Sequence, residues 1–314
     1  MLRTTLARSI LTLALLALLA LAPSPTDARS QSKGCGSDIR PIEINQTTLH
    51  YFECGQGEAL VFVHGAFGDL QTFRQQVDTF ASKFRIIVYS RRFVPPNASP
   101  RATDVSPLGS HVADLRTLIT DLKAGPAHLV GSSYGAYIAL ALAVDHPDLV
   151  RSLVLGEPPI WPLLSRTSVA ESMRQSLSRR AEATRKAFES GSFEDGMRRF
   201  VDAICATPSC FDNLPEAQRT ALLKEQAPAV RSEFMTEPSA LMPPFDCGVL
   251  GRLTRPTLLV TGERSQAMFL LVTTELERCL EGERQVMVPD AGHGMHSQNA
   301  AFYNQAVMAF LQRR

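Results

Sequence analysis

Gly131-Ser132-Ser133-Tyr134-Gly135 stands between an apolar run, AHLV (127–130), and a segment that is apolar almost all round, AYIALALA (136–143). A strand that passes directly into a buried helix leaves room only for a sharp turn, and glycines on both sides let the two elements approach closely. The residue at the apex takes a strained conformation, and its side chain is pushed out above the sheet. By its spacing from the two glycines that residue is Ser133, and Ser132 is the variable position before it. A serine hydroxyl presented in this way is a candidate nucleophile. It needs a base, and the base needs a carboxylate to hold its tautomer.

The rest of the chain supplies a matching scaffold. After an N-terminal pair around IEIN and TLHYFE come ALVFV (59–63), RIIVY (85–89), AHLV (127–130), SLVL (152–155), TLLVT (257–261) and QVMV (285–288). Several are apolar at successive positions, as strands buried on both faces are. Val112, Leu115, Leu118, Ile119 and Leu122 recur at helical spacing, predicting a surface helix with Ser110 as its cap. Strands alternating with helices predict an α/β fold, a mostly parallel sheet flanked by helices, and 45% hydrophobic residues in 314 can fill its core. Between Glu157 and Arg255 the alternation stops and only helical patterns remain. Residues 158–255 therefore read as a helical lid inserted after the sixth strand, with 29–157 and 256–314 as the core. The insert's arginines (Arg174, Arg179, Arg180, Arg185, Arg198, Arg199) have acidic neighbours, the pattern of a solvated helix face.

Arg3 and Arg8 flank the start of the apolar stretch ILTLALLALLALA (10–22), which PSPTDARSQSKG follows. This is the pattern of a secretory signal peptide over residues 1–28, with cleavage after Ala28. Its apolar stretch is shorter than the roughly 20 residues that a membrane span needs. Cleavage would leave a periplasmic or secreted protein without a stable membrane span. Cys35, Cys54, Cys205, Cys210, Cys247 and Cys279 all lie beyond the signal, where oxidation is favoured. The best local bridge is Cys205–Cys210, with Pro208 turning the chain between them. No Cys-x-x-Cys or neighbouring Cys/His pair gives zinc-ligand spacing, and neither a metal nor another cofactor is expected. With 32 basic against 31 acidic residues there is no global field to draw nucleic acid or an anionic membrane, which points to a small-molecule partner.

With these elements in order, the chain resembles the α/β-hydrolase fold family over nearly all of its length beyond the signal. His64-Gly65-Ala66-Phe67-Gly68-Asp69 follows ALVFV as the family's His-Gly loop does. The resemblance implies that the backbone N–H groups of Ala66 and Tyr134 form an oxyanion hole, with His64 a structural loop residue. His293, in VPDAGHGMH, resembles the family's strand-Pro-x-Ala-Gly-His loop and is the implied base. His296 is its rival, read as opening the final helix or lining the pocket, while His50, His111, His128 and His146 have no such context. Two glutamates keep the order serine, acid, histidine: Glu157 in SLVLGEPP and Glu263 in TLLVTGERS. Glu157 is preferred, because Pro158-Pro159 fixes its exit and Ser265 occupies the place of the usual family aspartate; Glu263 is the alternative. The family's Asp-x-Arg-Gly is replaced by Ser90-Arg91-Arg92-Phe93, whose arginines read as loop salt bridges in preference to a site for an acidic substrate.

The implied chemistry is acyl transfer on a small ester or lactone. The alternatives are hydrolytic carbon–carbon cleavage on the same triad, or a ligand-binding protein of low turnover on this fold. A serine at the turn argues against epoxide hydrolysis and haloalkane dehalogenation, which in this family depend on an aspartate there.

Overall fold

Strands form at all eight β-type runs: β1 Arg40–Ile44, β2 Thr47–Cys54, β3 Ala59–Val63, β4 Arg85–Tyr89, β5 Ala127–Ser132, β6 Val150–Gly156, β7 Thr257–Gly262 and β8 Arg284–Val288. This computed structural model describes residues 35–313 except 165–167, 206–208, 281 and 283. The signal segment and the cleavage point after Ala28 lie outside the described residues. The strands make one sheet of order β1-β2-β4-β3-β5-β6-β7-β8. β1 and β2, and β2 and β4, pair antiparallel, and every pair from β4 to β8 is parallel.

Twelve α-helical segments complete the described chain: α1 Arg74–Ala81, α2 Leu108–Asp121, α3 Tyr134–Asp145, α4 Ser168–Glu189, α5 Phe193–Ile204, α6 Glu216–Ala221, α7 Ala227–Phe234, α8 Pro238–Leu241, α9 Cys247–Leu250, α10 Ala267–Cys279, α11 Met295–Gln298 and α12 Ala300–Leu311. The period-2 geometry of the strands divides the core between two faces. Val61 and Val63 of β3 pack with residues of α2, α3 and α10, and Leu60 and Phe62 pack with residues of α1 and α12. The cap of α2 differs from expectation. Pro107 is the N-cap, no side chain caps the helix, and Ser110 lies in the first turn with its N–H bonded to Pro107 O. The fixed φ of proline starts the helix before the serine is reached.

Between β6 and β7 the described residues hold helices and no strand, as the lost alternation predicted. The insert has its own apolar cluster of Phe188, Met197, Val201, Phe211, Ala227, Val230 and Phe234. Outside it, Arg174 pairs with Glu171, Arg185 with Glu182 and Glu189, Arg198 with Glu194 and Asp212, and Arg199 with Asp195. Disulfides join Cys205–Cys210, Cys35–Cys54 and Cys247–Cys279. No helix among the described residues is long and apolar enough to cross a membrane.

Parallel strands deliver their carboxyl ends to a common edge, where ligands of open α/β sheets bind. The loops after β3, β5, β6, β7 and β8 carry Ala66, Ser133, Glu157, Glu263 and His293 in turn.

Candidate active site

Ser133 has φ 53° and ψ −125°, a conformation that costs on the order of 1–3 kcal/mol and persists only where its surroundings enforce it. They do so here. A Cβ at Gly131 would stand 2.5 Å from the Ala136 Cα, and one at Gly135 would stand 2.5 Å from the His64 carbonyl oxygen, so only glycines permit this strand, turn and helix to close. The Ser133 N–H is tied to Gly156 O at 2.7 Å, fixing the turn to the end of β6. Tyr134 begins α3, where N–H groups of the first turn have no intrahelical acceptor.

His293 stands in the loop between β8 and α11, and its ring is stacked on Phe269 of α10 with centroids 3.9 Å apart and an interplanar angle of 10°. Its Nδ1 lies 2.6 Å from Oε2 of Glu157. The Glu157 side chain is fully buried, and its Oε1 accepts the Gly262 N–H at 2.8 Å. The residue's own backbone has φ 46°, which turns it inward at the end of β6. Glu263 is exposed, and its Oε2 accepts the Asp290 N–H at 2.9 Å. It braces the loop that carries His293.

Ser133, His293, Ala66, Tyr134 and His296 line one cavity of about 870 Å³. This cavity, rather than a direct hydrogen bond, is what Ser133 and His293 share. Its remaining wall includes Trp161, Phe200, Phe234, Leu241 and Met242 of the insert, whereas Phe211 is buried within the insert's own cluster. His296 packs against Phe73 and Tyr303, and burial with the neighbouring His293 brings it down to about 4. Its ring is neutral at pH 7.

His64 is consumed by structure. Its Nδ1 is 2.8 Å from Gly65 O and its Nε2 accepts the Arg91 N–H at 2.9 Å, so the neutral Nδ1–H tautomer satisfies both bonds. Burial, and then the Arg91 charge, hold it well below the ordinary histidine range. Arg91 pairs with Glu233 at 2.7 Å and Arg92 with Asp114 at 2.7 Å, so both arginines of the Ser-Arg-Arg segment are spent on internal ion pairs. His50 meets Asn97, and His128 meets Ser152 and Glu58, all away from the cavity. Among the described residues no cluster of three or more His, Cys, Asp or Glu side chains is arranged to hold a metal ion.

The family model for the alpha/beta hydrolase fold matches residues 58–300, which includes β3, the turn at Ser133, Glu157 and His293. The chain belongs to the α/β-hydrolase fold family. The chain is 28% identical over 123 residues to the uncharacterized hydrolase YraK of Bacillus subtilis, covering 39% of this chain and 45% of that one. To epoxide hydrolase 3 of Mus musculus it is 24% identical over 133 residues, 42% of this chain and 36% of the other. The chain thus spans less than half the length of these two curated relatives. Among solved structures, the enol-lactonase from Burkholderia xenovorans LB400 superposes with a TM-score of 0.66 at 20% identity, over 87% of this chain and all of that one. At that identity the likeness is one of fold.

Three residues of the candidate site carry no sequence signal of their own: Phe269 beneath the His293 ring, Gly262 behind Glu157, and Glu233 opposite Arg91. Each reaches the site from an element distant in sequence. Among these contacts, Arg91 and Gly262 stand in segments that depart visibly from the family pattern, Ser90-Arg91-Arg92-Phe93 and Gly262-Glu263-Arg264-Ser265.

Proposed function

We propose that this hydrolase cleaves a carboxylic ester or lactone through an acyl-enzyme. Ser133 attacks the carbonyl carbon while His293 takes the hydroxyl proton at Nε2; Glu157, on Nδ1, orients the ring and stabilises its charged form. The N–H groups of Ala66 and Tyr134 receive the oxyanion of the tetrahedral intermediate. His293 then returns the proton to the leaving alcohol, and water, activated by the same ring, releases the acid. The observation that carries this reading is the 2.6 Å contact between His293 Nδ1 and the buried carboxylate of Glu157, beside a cavity that also holds Ser133. Glu157 is the acid of this reading in preference to Glu263, whose carboxylate is occupied by the Asp290 N–H. Epoxide opening, the chemistry in one relative's name, is disfavoured by serine at the turn.

Fluorophosphonate labelling tests the proposal: wild-type protein should label once, at Ser133, and Ser133→Ala should abolish both labelling and turnover. Failure of the folded wild type to label, or undiminished labelling of the variant, would defeat it. A panel of acyl esters, lactones and diketones then separates ester and lactone cleavage from carbon–carbon cleavage.

The helices of residues 158–255 act in this reading as a lid whose aromatic side chains bound the substrate space. Export through the N-terminal signal is part of the same proposal, supported by three disulfides. Mass measurement of exported protein should find a new N-terminus at Arg29, and an intact Met1 would contradict it.

A further inference from the structure

Arg91 heads the largest fully buried side chains among the described residues, with 2% of its surface exposed. A cation is costly to remove from water unless its surroundings use it, so each of its contacts matters. Nη1 donates to Glu233 Oε1 at 2.7 Å and lies 3.5 Å from His111 Nε2. Nη2 donates to the carbonyl of Gly65 at 3.2 Å. The guanidinium lies over the Tyr134 ring, 5.3 Å from its centroid. Neutralising Glu233 would require only the first of these contacts.

The contact with Gly65 has a geometric consequence. The Gly65 C=O and the Ala66 N–H belong to one planar trans peptide and point in opposite directions. That oxygen is engaged by both Arg91 Nη2 and His64 Nδ1, which together fix the peptide plane and hence the direction of the Ala66 N–H. The loop lies directly against the nucleophile turn: a Cβ at Gly65 would be 2.9 Å from the Ser133 Cβ. Tyr134, under the same guanidinium, has its hydroxyl tied to Leu241 O of α8 at 3.2 Å. One side chain therefore holds the Gly65 carbonyl of the peptide that carries the Ala66 N–H and also lies over the ring of Tyr134; Ala66 and Tyr134 are the two residues whose N–H groups would face the oxyanion. Arg91 is not part of the cavity wall, whereas its partner Glu233, on α7 of the insert, is. α7 is itself fastened to the core where Ser106 N–H meets Ser232 O at 3.0 Å and the two hydroxyls meet at 2.7 Å.

We propose that Arg91 is a positioning residue that clamps the Gly65–Ala66 peptide in its anion-binding orientation, and that Glu233 holds this clamp in place from the insert. The seating of α7 against the core then sets the aim of the Ala66 N–H, and the insert contributes to the reaction through the backbone as well as through the cavity wall. This inference rests on the acyl-transfer reading for its catalytic consequence, although the clamp itself is independent of which residue attacks.

The test compares wild type with Arg91→Met, Arg91→Lys and Glu233→Gln, using a p-nitrophenyl ester and an arylboronic acid that forms an anionic adduct. Arg91→Met should lower kcat roughly 10- to 100-fold, less than the roughly 10²–10³ of losing an oxyanion donor outright. KM should stay within about twofold, because the clamp acts on the transition state, and the boronic acid should weaken by the same factor as kcat. Arg91→Lys keeps the charge but has one nitrogen for two acceptors, and should remain impaired. Glu233→Gln should fall in the same direction. A folded Arg91→Met with kcat within about twofold of wild type overturns the proposal, as does an effect confined to KM, which would make Arg91 a substrate ligand. If Arg91→Met does not fold, Arg91→Lys and Glu233→Gln decide on the same criteria. If Ser133→Ala retains turnover, the acyl-transfer reading has failed, and the clamp is judged by the Ala66 amide resonance in selectively ¹⁵N-alanine-labelled protein. A shift of that resonance in Arg91→Lys supports the clamp, and an unmoved resonance overturns it.

Discussion

His293 Nδ1 lies 2.6 Å from Glu157 Oε2, and the other oxygen of that fully buried carboxylate accepts the Gly262 N–H. The carboxylate is thereby locked between the end of β7 and the histidine, and the ring is oriented with Nε2 free for the cavity. Glu157→Gln replaces an acceptor with an amide that can donate to Nδ1 and favour the wrong tautomer. We expect kcat to fall about 10³- to 10⁴-fold, as when a triad carboxylate becomes an amide. Glu263→Gln leaves the His293–Glu157 pair intact and should change kcat by less than about threefold. Steady-state kinetics on the two variants check this; a reversed ranking would make Glu263 the acid.

Gly135→Ala should destroy the turn that presents Ser133. The added methyl would run into the carbonyl oxygens of Val63 and His64, which are backbone atoms of the neighbouring strand end and cannot rotate away. The loss of stability should exceed the 1–3 kcal/mol typical of overpacking, and fluorophosphonate labelling should disappear. Gly109 in α2 is the control: nothing lies within 4 Å of its added Cβ, so Gly109→Ala should be neutral or stabilising by up to about 1 kcal/mol. Urea unfolding of both variants gives the comparison.

Features encoded over a few residues are readable from the sequence. The strained turn needs only two glycines spaced about Ser133, and the eight strands announce themselves as short β-type runs, several of them apolar at successive positions. The choice between Glu157 and Glu263 is of another kind. Their strands are neighbours, about 5 Å apart, so the outcome depends on which way each side chain leaves its loop, and φ 46° at Glu157 is set by packing. Arg91 and Glu233, 142 residues apart, meet only because α7 docks on the core. Ser110 shows the opposite failure, a good capping residue bypassed because Pro107 already starts the helix.

The Cys247–Cys279 bridge should matter more to stability than Cys205–Cys210. It joins α9, at the end of the insert, to α10 of the core across 32 residues, whereas the second closes a separation of only 5. Loop-closure entropy gives about 3.5–4 kcal/mol for the longer separation and about 2 kcal/mol for the shorter. Guanidinium unfolding of Cys247→Ala/Cys279→Ala and of Cys205→Ala/Cys210→Ala should reproduce this order. Equal losses would mean that chain entropy is not the main contribution.

Stability should fall as the pH drops from 7 to 5, because the folded protein keeps histidines neutral that the unfolded chain protonates. Burial is the first cause in each case: His64 and His111 lie well below the ordinary value of 6.5, His128 lies below it, and His296 is brought to about 4. The Arg91 charge adds to the effect at His64 and His111. For a depressed histidine the unfolded state binds more protons between the folded and unfolded pKa values, so the stabilisation is complete above about 6.5 and is lost as the pH falls below it. Each such group contributes a slope of at most about 1.4 kcal/mol per pH unit. Urea unfolding at pH 7, 6 and 5 should show a falling free energy, and His111→Gln, which removes one of these groups, should show a shallower decline. A flat profile in the wild type, or a variant with an unchanged slope, would mean that these rings take up protons in the folded state as readily as in the unfolded one.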